Sequence, residues 1–337
     1  LKCKVCREHA VLDVRRHNAA FCASHFIEHF KNQVARAIKD FKMFTPEDKL
    51  LVAVSGGKDS LALWDVLLDL GYDATGFYLD LGIGGYSTRS KETTAAFAES
   101  RQAELVVRNL EQEHGFTVPE LARLTGRVPC SGCGLNKRYE FNRAALEEGF
   151  NVLVTGHNLD DEVAVLFGNV LHWNTGMLGR QSPVLEERIF HEGDDSRQVL
   201  VRKVKPLVRL GERETAAFAL LRGIDYIVEE CPMVEGNTHH RYKEALTLLE
   251  ESSPGTKYQM YFGFLKKAAA RFAADADGAE PDGEVVACTE CGAPTMRWDT
   301  TMTPVCAFCK TKALAARRKI EGVPARRRGK RPRRRAG

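Results

Sequence analysis

The chain of 337 residues has no run of eighteen apolar residues, the length a helix needs to cross a bilayer, so a helical membrane protein is excluded. Its first residues, Leu1-Lys2-Cys3-Lys4-Val5-Cys6, form no apolar h-region and no cleavage site; no secretory signal is read, and the expected compartment is the cytoplasm. Two nucleotide motifs are missing. Without G-x-G-x-x-G a Rossmann dinucleotide site is disfavoured, and without G-x-x-x-x-G-K-S/T the loop of gamma-phosphate-cleaving ATPases is excluded. Internal repeats are also lacking, apart from two cysteine-rich modules. At 44% hydrophobic and 28% charged, the composition is that of a soluble globular protein, and the length corresponds to about two domains.

The net charge of +4 conceals an asymmetry. From Lys310 to Gly337 thirteen Lys and Arg face the single acid Glu321, so this segment carries +12 and leaves −8 on the rest. Runs such as Arg326-Arg327-Arg328 and Arg333-Arg334-Arg335 repel themselves, which predicts a disordered tail drawn to phosphate backbones.

Ten cysteines in a reducing compartment point to metal ligands or catalytic groups rather than disulfides. Cys3, Cys6, Cys22 and His25 form C-x2-C-x15-C-x2-H, the four ligands of a closed tetrahedral zinc site; His25 is preferred to His9, His17 and His29 because it repeats the two-residue gap. Cys288, Cys291, Cys306 and Cys309 give C-x2-C-x14-C-x2-C, a zinc ribbon, with Gly292 permitting the first tight turn. Four protein ligands leave no open position, so both zinc ions are expected to replace a core too small to form. Cys130, Cys133 and Cys231 remain. Spacing alone leaves three readings open: a third zinc site, a [4Fe-4S] cluster held through three irons, or a redox pair that carries and resolves a persulfide.

Hydrophobic periodicity supplies the scaffold. Phe26, Ile27, Phe30, Val34, Ile38 and Phe41 recur at helical intervals, predicting one amphipathic helix that ends before Pro46. Strands then alternate with helices: strand 50–54, helix 60–70, strand 74–79, helix 90–101, strand 105–110, helix 136–148, strand 152–155 and a helix from Asp161. This is the α/β pattern of a doubly wound parallel sheet. Further on, 186–197 reads as an exposed loop, 204–207 as another strand, and 212–222 and much of 240–272 as helices. The expected organisation is a finger at 1–30, a linking helix at 31–47, a nucleotide-binding and catalytic domain at 48–272, a flexible linker at 273–284, a zinc ribbon at 285–312 and the basic tail at 313–337.

The first strand runs into Ser55-Gly56-Gly57-Lys58-Asp59-Ser60. Here two glycines admit an anion to the backbone, and the following helix offers unpaired N–H groups, so a phosphate is expected. Thr155-Gly156-His157-Asn158-Leu159-Asp160-Asp161-Glu162 follows the strand at 152–155 and would face the same ligand. Its carboxylates could hold the Mg2+ that accompanies a nucleotide, with Lys58 and Lys137 supplying positive charge. N-capping is the structural alternative for Asp160 and Asp161, and His157 reads as a satisfied loop histidine.

With these residues in place the chain resembles the PP-loop ATP pyrophosphatases, whose Ser-Gly-Gly-x-Asp-Ser loop binds ATP and which release pyrophosphate on adenylating a carbonyl oxygen. The finger, the loop at 55–60, Cys130 with Cys133, the segment at 156–161, Cys231 and the ribbon together resemble the tRNA 2-thiolation enzymes of that superfamily, above all the branch that thiolates 5-methyluridine in the T loop. The resemblance spans about residues 3 to 309 and gives a role to all ten cysteines.

It implies that Cys130, Cys133 and Cys231 hold a [4Fe-4S] cluster whose fourth iron takes sulfide from the C-terminal thiocarboxylate of a ubiquitin-like carrier protein. It implies ATP contacts from Ala53, Ser55, Gly56, Gly57, Asp59, Ser60, Leu79, Lys137, Gly156 and Asp161, with Lys58 in the same loop. The three cysteines with Asp59, Lys137 and Asp161 form the implied catalytic set. The chemistry is coherent: AMP placed on uridine O2 makes a poor leaving group a good one, so one site must gather ATP, base and sulfur. The base must also leave its stack. On a −8 body the candidate tRNA surface comprises the tail, the zinc modules and Arg180, Lys203, Lys205 and Arg209. A homodimer is implied as well. Three alternatives are wobble-uridine thiolation on the same scaffold, a PP-loop ligase or amidotransferase without a cluster, and a non-catalytic zinc protein that binds nucleic acid.

Overall fold

The structure is a computed structural model that describes residues 1–190, 199–234, 238–278 and 284–322. Its first unit is a knuckle and hairpin, β1 (Leu12–Val14) paired with β2 (Ala19–Phe21), turned by Asn18 in the left-handed region at φ 45°. Cys22 caps α1 (Ala23–Asp40), which buries Phe26, Phe30, Val34 and Ile38 along one stripe, as the periodicity predicts.

The main sheet follows. β3 (Leu50–Val54), β4 (Ala74–Asp80), β5 (Leu105–Asn109) and β6 (Val152–Thr155) alternate with α2 (Lys58–Asp69), α3 (Gly84–Arg101), α4 (Leu110–His114), α5 (Val118–Thr125) and α6 (Pro129–Glu147). Then come α7 (Leu159–Leu171), α8 (Thr175–Leu178), β7 (Val184–Leu185), β8 (Arg188–Ile189), β9 (Val199–Leu200), β10 (Arg202–Val204), α9 (Glu212–Leu221), α10 (Thr238–Ser252), α11 (Thr256–Lys267) and α12 (Ala269–Gly278). A hairpin of β11 (Glu284–Ala287) and β12 (Pro294–Arg297) leads to α13 (Ala307–Ile320).

The six-stranded sheet has the order β5-β4-β3-β6-β10-β7, parallel except for β7 at the edge. From β3 the chain builds outward to β4 and β5, then returns to place β6 and β10 on the other side. The C-terminal ends of β3 and β6 therefore flank the point where strand order reverses, where open α/β sheets bind ligands. One face packs under α1, α2, α7 and α9 around Trp64, Phe30 and Phe218; the other packs under α5, α6 and α13. Gly76 is dictated by this packing, since a Cβ there would lie 2.4 Å from the Trp64 ring, whose indole N–H donates to Ala74 O at 2.9 Å.

Several expectations shift. α3 begins at Gly84 and α6 at Pro129, so Cys130 and Cys133 lie in the first two turns of a helix. α4 and α5 are additional. The strand expected at 204–207 ends at Val204, and Pro206 opens a 3-10 turn at 206–209. Within the segment read as a loop, β8 pairs with β9, and 191–198 lie outside the described residues. The expected linker is helical through Gly278, and 279–283 are not described. Residues 313–320 of the expected tail belong to α13, with Ala315 buried, while 323–337 are not described. No helix among the described residues is long and apolar enough to cross a membrane.

Candidate active site and metal centres

The loop after β3 is tied into a closed curl. Ser55 N–H donates to Ser60 Oγ at 3.1 Å, Ser60 O–H donates to Gly57 O at 3.0 Å, and Ser90 O–H donates to Ser55 O at 2.6 Å. Gly56 has φ +73°, and a Cβ there would meet Ser90 O at 2.9 Å, so both conformation and space require glycine. Asp59 Oδ1 accepts from Asn158 Nδ2 at 3.1 Å, and Lys58 Nζ reaches Asp59 Oδ2 and Glu212 Oε1, each at 3.0 Å. Burial pushes the Asp59 carboxyl above its ordinary range, partly offset by Lys58.

The loop after β6 presses against this curl: a Cβ on Gly156 would lie 3.0 Å from Ser60 N. Asn158 caps α7, its Oδ1 accepting from Asp160 N at 2.9 Å and Asp161 N at 3.2 Å, while Asp161 Oδ2 accepts from Asn158 N at 3.1 Å. Asp161 therefore closes a capping box and also pairs with Lys243 at 2.6 Å. Asp160 is held by Lys257 Nζ and by Glu212 N–H at 2.8 Å, so this carboxylate is consumed internally rather than presented to Mg2+. His157 bonds Thr155 Oγ1 at 2.9 Å; desolvation and Lys203 hold its ring down to about 4. It stays neutral at physiological pH.

Between these loops, α3, α6 and the segment carrying Cys231 lies a cavity of about 610 Å³. Ten of the expected site residues line it: Ala53, Ser55, Asp59, Ser60, Leu79, Cys130, Cys133, Lys137, Gly156 and Cys231. Gly56, Gly57, Lys58 and Asp161 stand behind this wall. The glycines shape the curl, Lys58 is turned to Asp59 and Glu212, and Asp161 is turned to the α7 cap and Lys243. Sequence reasoning missed Tyr86 and Ser90, which line the wall because α3 starts six residues earlier than its apolar pattern indicates, and Met233, next to Cys231.

The three cysteines come from two places in the chain and open into the same cavity. Burial is the largest influence on Cys130 and Cys133 and pushes both thiols up; proximity to Cys231 adds to the effect, and Lys137 opposes it. Cys130 Sγ lies 3.5 Å from Met233 O. The segment carrying Cys231 is pinned to the glycine curl by Ile227 N–H donating to Gly56 O at 2.9 Å.

Among the described residues, the Cys/His sets whose ligand atoms gather within 4.8 Å are the two predicted zinc sets. In the finger, Cys6 and Cys22 sulfurs are 3.7 Å apart and Cys22 Sγ is 3.1 Å from His25 Nδ1, which places His25 in the fourth position. In the ribbon, Cys291 and Cys306 sulfurs are 3.8 Å apart, and Gly292 adopts φ 78°. A tetrahedral ion with Zn–S of about 2.3 Å sets ligands about 3.8 Å apart. Cys130, Cys133 and Cys231 do not converge to this spacing, which argues against one shared ion and suits a larger group.

Both modules are docked on the body. Arg16 of the finger pairs with Glu214 and donates to Arg209 O at 3.0 Å, and Phe308 of the ribbon stacks on Tyr139 of α6 at 3.7 Å. Two of the expected tRNA-facing cations are spent internally: Lys205 on Glu162 at 2.7 Å, and Arg209 on Asp40 and Tyr258. Arg180 is exposed; Lys203, near His157 and Arg138, makes no ion pair among the described residues, and burial lowers its ammonium to about 8.

Comparison with known proteins agrees with this geometry. A PP-loop domain family matches residues 27–243, and the N-terminal LIM domain of 2-thiouridine synthetase TtuA matches residues 2–27. A Thermus thermophilus protein named tRNA-5-methyluridine(54) 2-sulfurtransferase is 49% identical, covering 91% of this chain and 90% of its own. A Pyrococcus horikoshii protein of the same name is 38% identical, covering 92% and 93%. Among solved structures, the U34-tRNA thiolase NcsA from Methanococcus maripaludis with its [4Fe-4S] cluster superposes with a TM-score of 0.71 at 22% identity, covering 94% and 96% of the two chains, which shows the shared fold. The chain belongs to the tRNA-5-methyluridine 2-sulfurtransferase family of PP-loop proteins.

Proposed function

We propose that this protein 2-thiolates a tRNA uridine, the 5-methyluridine of the T loop, in an ATP-dependent reaction. The observation that carries the reading is that one cavity joins the Ser55–Ser60 curl to Cys130, Cys133 and Cys231. ATP would lie with its phosphates against the curl and the N-terminus of α2, where backbone N–H groups and the helix dipole favour negative charge. Lys137, on the wall and free of any carboxylate partner among the described residues, balances charge on the α-phosphate. Asp59 is the wall carboxylate for Mg2+, and Ala53 and Leu79 flank the nucleoside. Uridine O2 attacks the α-phosphorus and pyrophosphate leaves; sulfide then adds at C2 and the C2–O bond breaks, releasing AMP.

Three cysteines open to one cavity, without the close spacing of a single-ion site, fit a [4Fe-4S] cluster. When bound, that group supplies one iron free of protein thiolate, where an exogenous sulfur ligand can be held. The chain's own part is to keep the three thiols in a half-buried, apolar wall and to tie Cys231 to the nucleotide curl through Ile227. The two closed sets at the ends of the chain would hold zinc structurally. A ubiquitin-like protein with a C-terminal thiocarboxylate as donor, and a homodimer as assembly, complete the reading; both rest on the family resemblance.

The test is anaerobic reconstitution with iron and sulfide, followed by nucleoside analysis of tRNA incubated with ATP and a sulfide source. The wild type yields 2-thioribothymidine; Cys231→Ala yields none. Product at the wobble base moves the protein to the sister branch. Thiolation without iron, or in the Cys231 variant, refutes the use of the cluster.

A further inference from the structure

Four aromatic rings line the cavity; the His157 imidazole is held by Thr155 Oγ1, and two of the other three are also engaged. Tyr78 donates its hydroxyl to Ser87 O at 2.9 Å, and the Phe141 ring packs edge-on against Phe77 with centroids 5.7 Å apart. Tyr86, in the first turn of α3, differs. It is half-buried on the wall, yet its hydroxyl makes no hydrogen bond and its ring meets no other aromatic among the described residues. Its hydroxyl is open to solvent, where water can satisfy it; what stands unpartnered is the ring, an aromatic surface on the cavity wall with no other aromatic against it among the described residues. It shares the cavity wall with Cys133 and Cys231 and lies one helical turn before Ser90, which bonds the phosphate-binding curl.

A nucleotide extruded from its stack loses both base neighbours, and enzymes that receive one replace them with an aromatic face. We propose that Tyr86 is the stacking platform for the target pyrimidine, holding the ring between the ATP curl and the three cysteines. The inference rests on the tRNA-thiolation reading. Tyr86 touches substrate in this scheme but neither gives nor takes a proton in the transfer, so it is a positioning residue.

The test compares tRNA carrying the target base with the same tRNA made abasic at that nucleotide, by equilibrium binding to the reconstituted protein at one fixed salt concentration. Wild type is expected to prefer the base-bearing tRNA by on the order of ten-fold, the size of one base–aromatic stack. Tyr86→Leu should bind both tRNAs alike, at the wild-type abasic affinity, with iron content and ATP affinity unchanged; Tyr86→Phe and Tyr86→Trp should keep the preference. If Tyr86→Leu retains the preference, or Tyr86→Phe and Tyr86→Trp lose it, the proposal is overturned. A Leu variant that keeps the preference but loses iron in air makes Tyr86 a shield for the cysteines instead. A wild type that binds tRNA without discriminating the abasic form refutes the platform alone, whereas one that binds no tRNA refutes the function on which it rests.

Discussion

Asn158 does two separable jobs, and two substitutions divide them. It caps α7 through Oδ1, and it donates Nδ2 to Asp59 Oδ1 at 3.1 Å, the bond that joins the β6 loop to the nucleotide curl. Asn158→Ala removes both, at a cost of about 1 kcal/mol for the cap, with a further loss because the Asp59 carboxyl, already raised by burial, gives up a donor. Asn158→Asp keeps a good capping oxygen but sets a second carboxylate where the amide donor stood. At 3.1 Å and an effective dielectric constant of about 20, the repulsion reaches about 5 kcal/mol before relaxation. Even a quarter of that raises the Asp59 pKa by about one unit. The sign is fixed: a raised carboxyl is ionised over a narrower range, so activity is lost from the acid side at higher pH. We expect the acid limb of kcat/KM of Asn158→Asp to move up by about one pH unit or more, and its melting point to approach wild type only at acid pH, where the carboxylate pair shares a proton; there Asn158→Ala should still melt several degrees lower. A pH profile for Asn158→Asp that superimposes on wild type refutes the argument that this hydrogen bond sets the state of Asp59, and equal melting losses in both variants at acid pH refute the cap.

Lys203, held near 8 by burial and by neighbouring cations, loses its charge as pH rises through that value, so tRNA affinity should fall between about pH 7 and 9. Lys203→Arg should flatten the pH dependence while retaining the affinity, and a slope unaltered in Lys203→Arg dissociates the residue from tRNA. Removing residues 323–337, which carry eight Arg and Lys, should lower the salt slope of tRNA binding by up to about 0.9 for each phosphate no longer neutralised. An unchanged slope in filter binding excludes the tail from the interface; the cut must follow Gly322 because α13 is packed. Replacing Cys309 by Ser opens the ribbon set, so hydrogen exchange in α6 should quicken as the Phe308–Tyr139 stack loosens. Protection equal to wild type across 129–147 would show that the ribbon does not brace that helix.

Much of this was legible in the sequence because the signals were local. Ligand spacing locates both closed metal sets, since each is built from two short knuckles whose internal gaps survive in the fold. Apolar runs locate β3, β4 and β6, which are buried on both faces, and the half-buried edge strand β5, and Ser-Gly-Gly-Lys-Asp-Ser after β3 marks the curl. What the sequence hid was non-local or weakly amphipathic. The first turn of α3, Gly84-Gly85-Tyr86, has neither apolar periodicity nor strong helix formers, and is held by Ser87 Oγ accepting from Ile83 N at 2.9 Å. Lys205 and Arg209 read as surface charge because their partners, Glu162 and Asp40, lie 43 and 169 residues away. Asp161 reads as a ligand-facing group because a capping carboxylate and a ligand-facing one share the same place after a parallel strand.

That last ambiguity bears on how the site is held together. The capping carboxylates are bound by cations that come from beyond the catalytic sheet: Lys243 of α10 takes Asp161, and Lys257 of α11 takes Asp160. Glu212, at the start of α9, reaches Lys58 and lies 3.5 Å from Lys243; two residues on, Glu214 receives Arg16 of the finger. Each of these charges is partly or wholly removed from water, so breaking one pair strands its partner at a cost well above that of a surface bridge. The finger, α9, α10 and α11 thus fix the walls from behind, leaving Asp59 and Lys137 at the cavity surface. On this arrangement substitutions at Lys243 or Arg16 should act through ATP affinity and stability together, whereas substitutions at Lys137, which has no such partner among the described residues, should act on turnover with stability unchanged.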